Sequence, residues 1–155
     1  MRPPVAATTN DLHMSWDVPY QPGVLRAVGK RRDGSSCLTT ELRTAGPAVA
    51  LRLCTDRDTV TAASGDVALI RFSIVDSSGS VVPTADNVVR FTVSGGRVVA
   101  LDNADLQNHD PYQSTSRHAF NGRGLAILRP ADRGTMRVTA AADGLKEATM
   151  TITVP

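Results

Sequence analysis

The 155 residues predict an all-β protein, and three observations carry that prediction. Apolar residues alternate with polar ones at a period of two in one segment after another. Gly, Pro, Asp and Asn interrupt those segments roughly every 8–12 residues, the spacing of a β-sandwich. No stretch sustains an apolar period of about 3.6 through three helical turns. Together they predict an immunoglobulin-like β-sandwich, preceded by a few strands of a partial second β-domain.

Residues 1–11 read as a linker or a cut end, rich in Pro, Ala and Thr and without the apolar stretch of a secretory signal. Leu12, Met14 and Trp16 alternate with His13, Ser15 and Asp17, as in a half-buried strand. The run PYQPG at 19–23 ends it, and a second strand follows to Arg31 with Val24, Leu25, Ala27 and Val28 apolar. Asp33-Gly34 is a hairpin signal leading into Ser36 to Thr44. Three strands with so few apolar side chains make a poor core, so residues 12–45 read as the tail of a sandwich whose earlier strands lie elsewhere. Ala45-Gly46-Pro47 breaks pairing and sets a boundary, and 47–155 reads as a nearly complete sandwich.

Within it, Val49, Leu51 and Leu53 open a strand. Asp66 to Asp76 is the strongest strand in the chain, with an expected change of phase near Ile70-Arg71 and a turn at 76–79. Val89, Phe91 and Val93 share a face, and Gly95-Gly96 turns the chain into Arg97 to Leu101. Strands are expected again at Arg117 to Asn121 and Leu125 to Arg129. Met136, Val138 and Ala140 alternate in the next, and Ala148, Met150, Ile152 and Val154 in the last. The polar loop from Asp102 to Ser116, about 15 residues, exceeds an ordinary connection, and loops of that length usually have a function.

Composition bounds the chemistry. Hydrophobic residues make up 41% and charged residues 21%, with one Trp, two Tyr and three Phe, so the core must be aliphatic. A net charge of +2, evenly spread along the chain, gives no reason to expect a nucleic-acid partner. Lys30-Arg31-Arg32 reads as a solvated hairpin tip. No apolar run reaches the roughly 18 residues of a membrane-spanning helix. Cys37 and Cys54 lack metal-ligand spacing and read as two separate, buried or half-buried thiols.

No motif carries catalysis. Asp102, Asp105 and Asp110 crowd the long loop, but closeness in sequence does not set the separation that paired carboxylates need. Asp102, Asn103 and Asp105 are the candidate calcium ligands, as hard oxygen donors near one turn. Their spacing does not match the EF-hand, and the plainer reading is that Asp and Asn bond their own backbone. His13, His109 and His118 have no zinc spacing. Trp16 and Tyr20 could form a sugar platform, although Trp16 is in phase with Leu12 and Met14, which favours a core place. No cofactor is expected.

The segments WDVPYQPG (16–23), LRAVGKRRDG (25–34) and ELRTAGPAVALRL (41–53) resemble the C-terminal accessory modules of bacterial glycoside hydrolase family 2 β-galactosidases. VVPTADNVVRFTVSGGRVVALDNAD and HAFNGRGLAILRP are similar to the immunoglobulin-like module that follows in such enzymes. The resemblance implies a non-catalytic module of a hydrolase whose (β/α)₈ barrel is not represented here, so no catalytic residue carries over. It implies the barrel, other β-domains and a second subunit as partners, with Asp102, Asn103, Asp105, His109 and Tyr112 as an interface loop. Carbohydrate binding and an adhesin-like repeat are the alternatives, the former resting on Tyr112 as the loop's one aromatic. The implied parent is a periplasmic or secreted bacterial enzyme. Ala104 stands where a glycine is expected after Asp102-Asn103, which counts against a strained left-handed turn at that position, although Asn103 can itself tolerate one.

Overall fold

The computed structural model describes residues 17–62 and 65–155. The linker at 1–11 and the strand expected on Leu12, Met14 and Trp16, with His13, lie outside the described residues. The chain divides into two units between Thr44 and Ala45.

In the first unit, β1 (Val24–Lys30) and β2 (Ser36–Arg43) form an antiparallel ribbon. At its turn Gly34 adopts φ +84°, and the Asp33 carboxylate accepts the Ser35 N–H at 2.8 Å. Because partners in register share a face, Leu25 with Leu42, Ala27 with Thr40 and Gly29 with Leu38 make one apolar side. The opposite side carries Val24 with Arg43, Val28 with Thr39, and Arg26 with Glu41, the last joined by an ion pair of 2.6 Å. Every residue of both strands is exposed.

The second unit contains β3 (Ala50–Thr55), β4 (Ala68–Val75), β5 (Val88–Ser94), β6 (Gly96–Asp102), β7 (Ser116–His118), β8 (Arg123–Pro130), β9 (Gly134–Ala141) and β10 (Ala148–Val154). They form two four-stranded antiparallel sheets, ordered β3-β4-β8-β6 and β10-β9-β5-β7, an immunoglobulin-like sandwich. Among the described residues no helix is long and apolar enough to cross a membrane.

The core follows from alternation. Leu51, Ile70, Phe72, Ile74, Leu101, Ala126 and Leu128 point inward from the first sheet. Val89, Phe91, Met136, Val138, Ala140, Ile152 and Val154 meet them from the second. Phe72 and Phe91 cross the layers edge to face, with centroids 5.5 Å apart. Burying each such side chain stabilises the fold by roughly 1.5–3 kcal/mol. The chain changes sheets at Gly95, whose φ is +72° and whose added Cβ would lie 2.2 Å from the Thr135 carbonyl oxygen. Only glycine fits there.

Asp76 ties the start of this unit to the sandwich. Its Oδ2 accepts the Gly46 N–H at 2.7 Å, while Oδ1 accepts the Ser78 and Ser80 N–H groups, each at 2.9 Å. These bonds favour the charged form, the Gly46 N–H most of all, and lower the Asp76 pKa to about 2.

Three local expectations are corrected. β4 keeps one phase throughout: Ala68, Ile70, Phe72 and Ile74 all face inward, and Leu69 faces out. The strand expected from Arg117 to Asn121 stops at His118, because Asn121 and Gly122, at φ +50° and +69°, make a tight turn between Phe120 and Arg123. Asn-Gly is a strong signal for such a turn. Cys37 and Cys54 are both free but exposed rather than buried. Cys54 lies on the outer face of β3, in register with Arg71.

Candidate functional site

The long loop between β6 and β7 is built from side chains bonding to the backbone two residues on. Asp102 Oδ1 accepts the N–H of Asn103 at 2.8 Å and of Ala104 at 3.1 Å. Asn103 Oδ1 accepts from Asp105 N–H, Asp105 Oδ1 from Gln107 N–H, and Asn108 Oδ1 from Asp110 N–H, at 3.1, 3.0 and 2.7 Å. The left-handed residue is Ala104 itself, at φ +60°. The sequence argued against a left-handed turn there, and the loop bears that cost on a non-glycine residue, at about 1–2 kcal/mol.

The side chain that organises the loop is Arg117. It occupies an inward position of β7, in register with Val89, and is the largest fully buried side chain described. Its Nη1 donates to the Asp110 carbonyl at 2.8 Å, and its Nη2 lies 3.4 Å from Asn103 Oδ1 and 4.0 Å from Asp102 Oδ1. The Tyr112 ring covers its guanidinium at 4.7 Å from the centroid. Asn103, itself buried, also donates to the His118 carbonyl at 3.0 Å. A guanidinium thus sits among the loop's oxygens. Nothing in the sequence marked this arginine: in Arg117 to Asn121 the two apolar residues, Ala119 and Phe120, are adjacent and set no alternating phase.

Of the residues singled out from sequence, Asp102 and Asn103 come together at Arg117, and Tyr112 joins them from above. Tyr112 remains 58% exposed, and its carbonyl accepts the Leu101 N–H. Asp105 is engaged with Gln107, and His109 is exposed. His118 contacts the Asp86 carbonyl through Nδ1 at 2.9 Å. Leu106, at the tip, is wholly exposed. Among the described residues no three His, Cys, Asp or Glu side chains group as metal ligands would.

Two open concavities flank the loop. One, of about 430 Å³, lies between Arg97–Val99 and Gln113–Thr115. The other, of about 230 Å³, is bounded by Asp102, Ala104, Arg123 and Leu125 among others. Neither lining contains two carboxylates, so neither has the acid pair of a glycosidase.

The second candidate surface is the ribbon. Leu25, Leu38 and Leu42 share its apolar side and are 51%, 69% and 70% exposed. A two-stranded ribbon has no second layer of its own to cover such a side.

Residues 51–151 match the sequence profile of glycoside hydrolase family 2 C-terminal domain 5, and residues 3–37 match a domain of unknown function, DUF4982. The chain is 31% identical over 145 residues to beta-galactosidase BoGH2A of Bacteroides ovatus, covering 92% of this chain and 17% of that protein. Among solved structures, a family 2 glycosyl hydrolase of Bacteroides cellulosilyticus superposes with a TM-score of 0.83 at 31% identity, over 89% of this chain and 19% of the other. A beta-glycosidase of Bacteroides vulgatus gives 0.81 at 30% identity, over 90% of this chain and 18% of its own. The chain therefore spans less than a fifth of each of these relatives.

Proposed function

This chain belongs to the glycoside hydrolase family 2 C-terminal domain 5 family, and from that premise we propose that it is a non-catalytic module of a longer β-galactosidase-like enzyme. Its part is to hold other domains of that enzyme, or a second subunit, in place. The observation that carries this reading is the uncovered apolar side of the β1–β2 ribbon, with Leu38 and Leu42 more than two-thirds exposed. Such a side needs a facing β-layer, and the relatives are long enough to supply one. On this reading the ribbon completes a preceding β-module and the sandwich follows it.

The experiment is an immunoblot of source cells together with an assay of the purified chain. A native polypeptide several times larger than this chain, and no turnover of a chromogenic β-galactoside by the chain alone, are the expected results. Turnover above background would overturn the non-catalytic assignment, and a native band at the chain's own size would overturn the parent enzyme.

A further inference from the structure

The charge of this chain is even along the sequence but not in space. Register places Arg52, Arg71, Arg97, Arg123 and Arg129 on the outer face of the β3-β4-β8-β6 sheet. Arg52, Ser73 and Arg123 form one cross-strand row, and Cys54, Arg71, Leu125 and Asp102 the next. Leu69, Ile127 and Ala100 make an aliphatic row beyond them, and Arg129 with Arg97 closes the far end. Asp102 is the one acid in these rows.

None of the five arginines is in an ion pair among the described residues; the pairs there use Arg26, Arg57, Arg90 and Arg117. Arg97 and Arg129 stand directly opposite each other, an arrangement of like charges that destabilises a sheet. The Arg129 Nε is buried and has no hydrogen-bond partner. The outer face of the other sheet has a different composition: Thr92, Thr135, Thr139, Thr149, Thr151 and Thr153 dominate it, and of its two arginines Arg90 is paired with Asp143 at 2.8 Å while Arg137 lies between Thr151 and Ser94.

We infer that the arginine face docks an acidic protein surface with an aliphatic centre, supplied by another domain of the same longer polypeptide. This rests on the parent-enzyme reading above. Charge complementarity requires carboxylates opposite the arginines, and Leu69, Leu125 and Ile127 require apolar side chains between them. A sugar chain would need an aromatic platform, and these rows contain none. Size decides the source. Six residues along β8 and three strand spacings span roughly 20 by 14 Å, or about 300 Å², well below the ~800 Å² per side of a free-standing complex. A patch that small holds a partner when a shared chain supplies a high effective concentration.

Arginine footprinting with phenylglyoxal, read by mass spectrometry, tests this on the native polypeptide and on the purified chain side by side. In the native polypeptide, modification of Arg71, Arg97 and Arg123 slows by about tenfold or more, as water leaves the interface core. The double substitution Arg71→Glu with Arg123→Glu, on exposed positions, restores the fast rate at Arg97 and leaves the isolated chain folded. A larger native polypeptide with equal rates overturns this inference and leaves the parent reading standing. A native polypeptide no larger than this chain overturns both. Equal rates accompanied by protection with sodium polygalacturonate or duplex DNA would overturn it in favour of a polyanion.

Discussion

Leu42 on the β1–β2 ribbon and Ile74 on β4 hold equivalent places in alternating strands, yet one is 70% exposed and the other fully buried. Both obey the same period of two, and both have an apolar partner across the strand, Leu25 and Leu51 respectively. What separates them is a second layer. In the sandwich, Phe91, Val138 and Ile152 close over the inward face of the first sheet. In the ribbon no second sheet of the same unit is described. Alternation decides which side of a strand is apolar, and a facing layer decides whether that side stabilises anything.

The largest effect that can sharpen this contrast is in the sandwich core. Phe72→Ala should cost about 3–5 kcal/mol in chemical denaturation, because the cavity lies between two rigid sheets. A loss below about 1 kcal/mol would mean that the layers are not packed as described. Arg117→Met comes next, with an expected loss of about 2–3 kcal/mol as its bonds to Asp110 and Asn103 disappear. Amide exchange should rise throughout 103–115 and stay slow in β9. Added calcium should not rescue this variant; full rescue would mean that a cation can take the guanidinium's place.

Acid should then act through Asp76. Its folded pKa, about 2, lies below the ordinary 3.8, so its contribution is complete above that ordinary value and is lost as pH falls towards 2. Melting temperature should drop over that window, and Asp76→Asn should flatten the slope; identical slopes would remove Asp76 as the cause. A smaller change, of opposite sign, is expected at Ala104, where glycine relieves the left-handed strain and gains roughly 0.5–1 kcal/mol. The smallest effect returns to the ribbon. Leu42→Ser in this chain should shift stability by less than about 0.5 kcal/mol. In a longer parent polypeptide the same change should cost about 2 kcal/mol or more if a facing layer covers it. Equal effects in both settings would end the analogy with the sandwich.

Sequence by itself determined most of the described strands, the all-β class and the kinship with family 2 C-terminal modules, because period, turn chemistry and ordered motifs are local properties of a chain. The Asx turns of the long loop belong to this part too, since each bond spans only two residues. Tertiary structure decided the rest. It put Arg117 at a core position of β7, where a guanidinium is held by loop oxygens 7 and 14 residues away in sequence. It kept Ala104 left-handed, since Asn103, the residue before it, is held by its bonds to the His118 carbonyl and to Arg117. It gathered Arg52, Arg71, Arg97, Arg123 and Arg129 onto one face, although no two are neighbours in the chain. Register across strands brings distant residues side by side, and one-dimensional spacing carries no trace of it.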